Sequence, residues 1–227
     1  PLTARQLDEV GISRATLDSL VKRGVLTASE QDKAIDLFAA IPFDPQPLEL
    51  SAEQQHVFDE LLPNLEDSRP HAALLHGVTG SGKTIVFLRL IQRTLELGRK
   101  ALVLVPEISL TPQMIQRLKS TFGSRLAVQH SALNNTERLL QWRMIQQGNA
   151  DIVVGTRSAA FAPLQNLGLI IMDEEQEHTY QSESAPRYDA HDVAKKRAVM
   201  ENALLLFASA TPLTETYHAA QSGKLQL

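Results

Sequence analysis

The sequence predicts an α/β fold, a parallel sheet with helices on both faces. Three observations carry that expectation. Short apolar runs alternate with stretches of helical period, which implies right-handed strand–helix–strand units. The runs Leu102-Val-Leu-Val105 and Leu169-Ile-Ile-Met172 are apolar on both faces, as strands covered from both sides must be. A glycine-rich turn, Gly77–Thr84, joins one such run to a helical stretch.

Taken in order, residues 1–40 read as a small helix-turn-helix segment. Thr3 caps a helix carrying Leu7 and Val10, and Gly11 ends it. Ser13 caps a second helix, with Leu17, Leu20 and Val21 on one face and Gly24 at its end. A plain helical hairpin has the same pattern. Residues 41–50 hold three prolines between Ile41 and Pro47, so neither helix nor central strand crosses them, and they read as a linker. Residues 51–227 carry the alternation. Ser51 caps a helix to Pro63. Ala72–His76 is a strand, Thr84–Leu97 a helix, Ala101–Val105 a strand and Thr111–Phe122 a helix. Leu126–His130 is a strand and Thr136–Gln147 a helix. Ile152–Gly155, Leu169–Asp173 and Leu204–Ala208 are further strands.

Composition narrows the class. At about 150 residues per domain, 227 residues make one large domain, or one medium domain and a small one. Hydrophobic residues at 43% and charged residues at 21% argue against a disordered or fibrous chain. The apolar runs are too short to span a bilayer, and the polar start is no signal peptide. A first residue of Pro rather than Met leads to the expectation of a piece of a longer protein. The chain has no cysteine, which excludes disulfides and cysteine-bound zinc within it and points to the cytoplasm. A net charge of −4 argues against tight electrostatic nucleic-acid binding, but not against a motor making few backbone contacts.

The chemistry is expected at the strand ends. Gly77-Val78-Thr79-Gly80-Ser81-Gly82-Lys83-Thr84 fits the phosphate-binding loop G-x-x-x-x-G-K-[ST], with an apolar strand before it and an amphipathic helix after it. Backbone N–H groups and the helix N-terminus would hold phosphates, Lys83 the β- and γ-phosphates of ATP, and the Thr84 hydroxyl Mg²⁺. Asp173-Glu174-Glu175-Gln176 follows another apolar run. Behind such a loop, Asp173 reads as the Mg²⁺ carboxylate and Glu174 as the group that polarises the attacking water. Ser209-Ala-Thr211 suits a sensor of nucleotide state, and equally a turn capping the next helix through Pro212. Thr156-Arg157-Ser158 suits contacts to a nucleic-acid backbone. Pro106-Glu-Ile-Ser109 holds the corresponding place one strand earlier. For both, plain loop chemistry is the other reading. Trp142 and Met144 read as core or interface, and His76 as packed.

Together these motifs resemble the first RecA-like motor domain of superfamily 2 DNA helicases. Leu104-Val-Pro-Glu-Ile-Ser-Leu-Thr-Pro-Gln113, Gly155-Thr-Arg-Ser158 and Ser209-Ala-Thr-Pro212 narrow the likeness to the primosomal replication-restart helicases. It covers most of residues 51–216, and segment 1–40 resembles the family's winged-helix module. The resemblance implies an ATP-dependent 3′→5′ helicase. Such an enzyme would act on forked and single-stranded DNA in the bacterial cytoplasm and nucleoid. It would work as a monomer, alongside a single-stranded DNA-binding protein and helicase-loading proteins. It implies that Gln54 contacts adenine, and that Tyr180 and Tyr188 stand in an aromatic-rich loop that binds single-stranded DNA, bases stacking on its rings, and couples that binding to hydrolysis. It assigns Gln176, Ser209 and Thr211 to that coupling, and Pro106, Thr156, Arg157 and Ser158 to DNA. Three departures stand out: Gln176 where the family's box often has His, Ile85 in place of an acidic residue, and Asp189 and His191 where His and Arg are common. The family also has a second motor domain with an arginine finger, and a zinc module. This chain alone is therefore expected to bind ATP weakly and hardly to hydrolyse it. Another superfamily 2 translocase, a nucleotide-sensing DNA-binding module and a P-loop transferase are the competing readings.

Overall fold

The alternating pattern closes into a six-stranded sheet, all parallel, in a computed structural model that describes residues 7, 11–27, 41–67 and 69–227. The chain divides into two compact units, Pro1–Ala34 and Ile35–Leu227. In the first, α1 (Arg14–Lys22) starts at Ser13, whose hydroxyl accepts the Thr16 N–H at 3.3 Å. Leu17 and Leu20 are half-buried, whereas Val21 is exposed. The helix expected before it lies outside the described residues apart from Leu7.

The described part of the second unit begins with the proline-rich stretch, which carries neither helix nor strand. It lies along this unit: the Asp44 N–H donates to Ser120 O at 3.0 Å, and Leu48 and Leu50 pack on the core. Next come α2 (Ala52–Glu66), β1 (His71–His76), α3 (Lys83–Glu96), β2 (Lys100–Leu104), α4 (Pro112–Phe122) and β3 (Leu126–Gln129). They are followed by α5 (Asn135–Gln146), β4 (Ile152–Gly155), β5 (Leu167–Asp173), α6 (Ala190–Glu201), β6 (Leu204–Ser209) and α7 (Thr214–Gln221). Short 3₁₀ turns stand at Arg157–Phe161 and His178–Tyr180.

Period-2 alternation sorts each strand between two cores. On β2, Ala101 and Val103 face α2, α3 and α4 with Leu61, Leu90 and Ile115, while Leu102 and Leu104 face the other side with Ile145, Ala194 and Ala220. Burying each such Leu or Ile contributes about 1.5–3 kcal/mol.

Two helices depart from expectation. α2 runs past Pro63 to Glu66. Leu61 and Leu65 are buried on the same face, and the Asp67 N–H closes on Pro63 O at 3.0 Å, so packing holds the last turn despite the proline. α6 was not read from the sequence at all. Its buried face is Ala190, His191, Ala194 and Ala198, a stripe too small and too polar to register as an apolar period.

The strand order β1-β6-β5-β2-β4-β3 decides what meets at the carboxyl edge, where ligands of parallel sheets bind. The turns after β1, β6 and β5 are neighbours on one half of that edge. The turns after β2, β4 and β3 are neighbours on the other.

Candidate active site

On the first half, the phosphate-binding loop and both carboxyl-edge motifs come together. Gly80 and Gly82 have φ of 82° and 81°, which a residue with a Cβ avoids. Gly82 also abuts Gln54, so a side chain there would collide with the Gln54 amide. Gln54 is doubly committed. Its Oε1 accepts the Ser51 N–H at 3.0 Å in a capping box, and its Nε2 donates to Ser81 O at 3.1 Å. Gln54 thus stands against the phosphate-binding loop, where the expected adenine contact would also place it. Val78, Thr79, Gly80 and Ser81 are exposed, and Thr84 is half-buried in the first turn of α3. Lys83 Nζ folds back on Gly77 O at 2.8 Å and Val78 O at 3.4 Å.

Asp173 ends β5. Burial, reinforced by the neighbouring Glu174 carboxylate, pushes its pKa up to about 6 against the pull of the Glu174 N–H and Lys83. This is a carboxylate short of positive charge. Glu174 has φ 47°, left-handed backbone that costs a residue with a Cβ about 1–2 kcal/mol. A relay runs on from it. Gln176 Nε2 donates to Glu174 Oε2 at 3.0 Å, Ser209 Oγ donates to Gln176 Oε1 at 2.6 Å, and the Thr211 N–H donates to Ser209 Oγ at 2.8 Å. Ser209 O also accepts the Gly77 N–H at 3.1 Å, so Ser209 touches both the box and the loop. The three residues expected to couple are joined here, with Thr211 entering through its backbone. Gln176 uses both ends of its amide in the relay, donating and accepting.

Glu175, the third box residue, carries a function the sequence reading missed. It is fully buried. Its Oε1 accepts the Leu213 N–H at 2.7 Å, and its Oε2 accepts the Thr216 hydroxyl at 3.2 Å. His191 Nε2 lies 2.8 Å from Glu175 O and 3.4 Å from Oε2, and its Nδ1 lies 2.7 Å from Asp189 Oδ1. Both ring nitrogens face only acceptors, so both must donate, and the ring is an imidazolium. Burial works against that charge, but the hydrogen bonds to Glu175 and Asp189 outweigh it and raise the His191 pKa. The substitution of His191 and Asp189 for the family's common pair was visible in the sequence; their distant partner was not.

The second half holds a groove of about 610 Å³ lined by Val105, Glu107, Arg138, Thr156, Arg157 and Ser158, with the loop 178–184 along one side. Ser158 is exposed in it, and Thr156 contributes from a nearly buried position. Pro106 is buried; its carbonyl accepts the Ser109 and Leu110 N–H groups, so it shapes the turn and leaves the groove wall to Val105 and Glu107. Arg157 donates to Thr179 O at 3.1 Å and to Gln181 O, and stands over the Tyr188 ring at 5.8 Å, which holds the loop. Tyr188 is half-buried, edge-on to Phe161 at 4.9 Å.

Tyr180 is a correction. The ring expected to stack on DNA bases is 0% exposed. Its hydroxyl reaches Asp173 O at 2.7 Å and Leu104 O at 2.9 Å, the carbonyls ending β5 and β2. Burial, then the field of the nearby carboxylates, holds the phenol pKa well above its usual value, so the proton stays. Tyr180 rivets the two halves of the edge at their boundary. Among the described residues no group of His, Asp and Glu is arranged to hold a metal through its own side chains alone, and no helix is long and apolar enough to cross a membrane.

A phosphate-binding loop beside a D-E-x-x box on a parallel sheet defines a P-loop motor-type domain, and residues 51–219 match the DEAD/DEAH box helicase model. The chain belongs to the DEAD/DEAH box helicase family. It is 45% identical to the replication restart protein PriA of Bacillus subtilis (strain 168), over 95% of this chain and 27% of that protein. It is 40% identical to the PriA of Chlamydia pneumoniae, over 97% of this chain and 30% of that one. The chain thus spans less than a third of these relatives, and the likeness to restart helicases read from its motifs is borne out. Among solved structures, one described as RecG bound to a three-way DNA junction is similar with a TM-score of 0.58 at 25% identity, covering 82% of this chain and 26% of that one.

Proposed function

We propose that this chain is the nucleotide-binding half of the motor of an ATP-driven 3′→5′ DNA helicase. The enzyme unwinds stalled or abandoned replication forks and helps reload the replicative helicase in the bacterial cytoplasm. The observation that carries this reading is the relay Glu174–Gln176–Ser209, set against the phosphate-binding loop and fastened through the Tyr180 loop to a groove on the same sheet edge. A transferase needs no such link between its phosphate site and a second groove. The names of the PriA relatives and the DNA junction in the RecG structure support the substrate class.

ATP and Mg²⁺ fit the residues present, on the evidence of the loop's left-handed glycines and a buried carboxylate short of positive charge. Thr84 and Asp173 would hold the metal, and Lys83 the β- and γ-phosphates, giving up its bond to Gly77 O. The bound nucleotide supplies the phosphoanhydride that water cleaves, its charge neutralised by the metal. Glu174 orients that water and takes its proton on Oε1, since Oε2 is occupied by Gln176. The relay then reports the state of Glu174 to Ser209 and the Gly77 N–H. Thr156 and Ser158 hold strand phosphates, and Arg157 keeps the loop in register with them. Single-stranded and forked DNA are the ligands, and a single-stranded DNA-binding protein and helicase-loading proteins the partners. A zinc module belongs to the longer protein, and hydrolysis by the 227-residue chain alone is slow.

The test is ATP hydrolysis by the full-length protein with and without forked DNA, comparing wild type with Lys83→Ala. Strong stimulation that vanishes in the variant is the expected result, with forks stimulating more than plain single strand. Nucleotide binding without any response to DNA would overturn the motor reading.

A further inference from the structure

Beside the groove, and sharing Arg138 and Ser158 with it, lies a smaller pocket of about 110 Å³ lined by Gln129, His130, Arg138, Trp142 and Ser158. Two of its walls come from α5. Gln141 and Ile145 face inward on that helix, Gln141 accepting the Val128 N–H at 2.7 Å. Arg138 and Trp142 stand at i and i+4, so both lie on the face that curls over the ends of β3 and β4.

Trp142, a large flat ring, is 39% exposed. Arg138 is exposed and, among the described residues, its guanidinium has neither hydrogen bond nor ion pair. That contrasts with Arg157, whose guanidinium is spent on the carbonyls of Thr179 and Gln181. Burial lowers the His130 pKa against the pull of Glu107 and Glu137, so its ring is neutral at pH 7 and adds no charge. The pocket therefore offers one unpaired cation and one aromatic face, continuous with the strand groove. Those are the two groups that grip a nucleotide without reading its sequence.

We propose that this pocket is a subsite for one nucleotide of a single strand leaving the groove, its base against the Trp142 indole and its phosphate on Arg138. The assignment rests on the reading of the groove as a strand-binding surface, and the experiment separates the two. Trp142 is the only tryptophan in the chain, so its emission reports on this pocket alone. The chain is titrated with a thymidine oligonucleotide and with an abasic oligomer of the same length, following tryptophan emission. Anisotropy of labelled versions of both reports total binding. The expected result is that the base-bearing strand quenches Trp142 and the abasic strand binds without quenching. Trp142→Ala weakens binding of the base-bearing strand about five-fold or more. Arg138→Gln, a surface change, weakens both strands and lowers the salt slope by about one. Binding by anisotropy with unchanged Trp142 emission and wild-type affinity in Arg138→Gln would overturn the subsite and leave the groove standing. No binding of either strand would overturn both.

Discussion

The two halves of the sheet's carboxyl edge are built on opposite plans. At the nucleotide half, side chains are engaged within the site: Lys83 on the Gly77 carbonyl, Gln54 on the Ser81 carbonyl, and Gln176 between Glu174 and Ser209. At the groove half, Ser158, Arg138 and Trp142 present their polar and aromatic groups to solvent. The contrast suits the ligands proposed for the two halves. A nucleotide has one shape, and catalysis rewards fixed geometry. A strand of any sequence needs exposed, tolerant contacts. The halves are riveted: Tyr180 joins β5 to β2, and Arg157, from the groove side, holds the loop that follows the box.

Breaking the nucleotide half gives the largest effects. Lys83→Ala lowers kcat of the full-length protein by about 10²–10³, because one positioned cation at a developing phosphoryl charge is of that worth; steady-state phosphate release measures it. Glu175→Leu removes one of the two carboxylates that face His191 and strips the Leu213 N–H and the Thr216 hydroxyl of their buried acceptor. It should destabilise the chain by about 3–5 kcal/mol in urea unfolding, with Glu175→Gln milder. Asp173→Asn abolishes hydrolysis yet stabilises the chain. The fold favours the protonated acid, so stability is greatest below the ordinary value of 3.8 and falls as pH rises to about 6. With partial exposure discounted, Asp173→Asn gains about 1–2 kcal/mol at neutral pH, read as a rise of a few degrees in Tm. His191 adds a second pH dependence. Its raised pKa contributes stability that is complete below 6.5 and lost as pH rises through the folded value. A urea midpoint that falls as pH is raised above 6.5 in wild type, but not in His191→Gln, checks the smallest of these effects.

The same division marks what the sequence disclosed. All six strands and the loop Gly77–Thr84 were legible, because apolar runs and a glycine spacing are local signals. Glu175 was not, since a buried carboxylate looks like any acidic turn until Leu213, Thr216 and His191 are seen around it. α6 escaped because its buried face is alanine and histidine. Tyr180 was misplaced for a related reason. The family resemblance assigns it to a DNA-binding aromatic loop, and only the strand order puts it over the junction of β5 and β2.

That junction is where the account is most exposed. Tyr180→Phe keeps the ring and removes the hydroxyl that spans Leu104 O and Asp173 O. The decisive measurement is ATP hydrolysis by the full-length variant with and without single-stranded DNA, alongside its affinity for each ligand. A lost hydrogen bond of about 0.5–1.5 kcal/mol should lower DNA stimulation about 2–10-fold, with the basal rate, the KM for ATP and the affinity for DNA unchanged. Full stimulation in Tyr180→Phe, or an equal fall in basal and stimulated rates, would contradict the claim that this rivet joins the two halves.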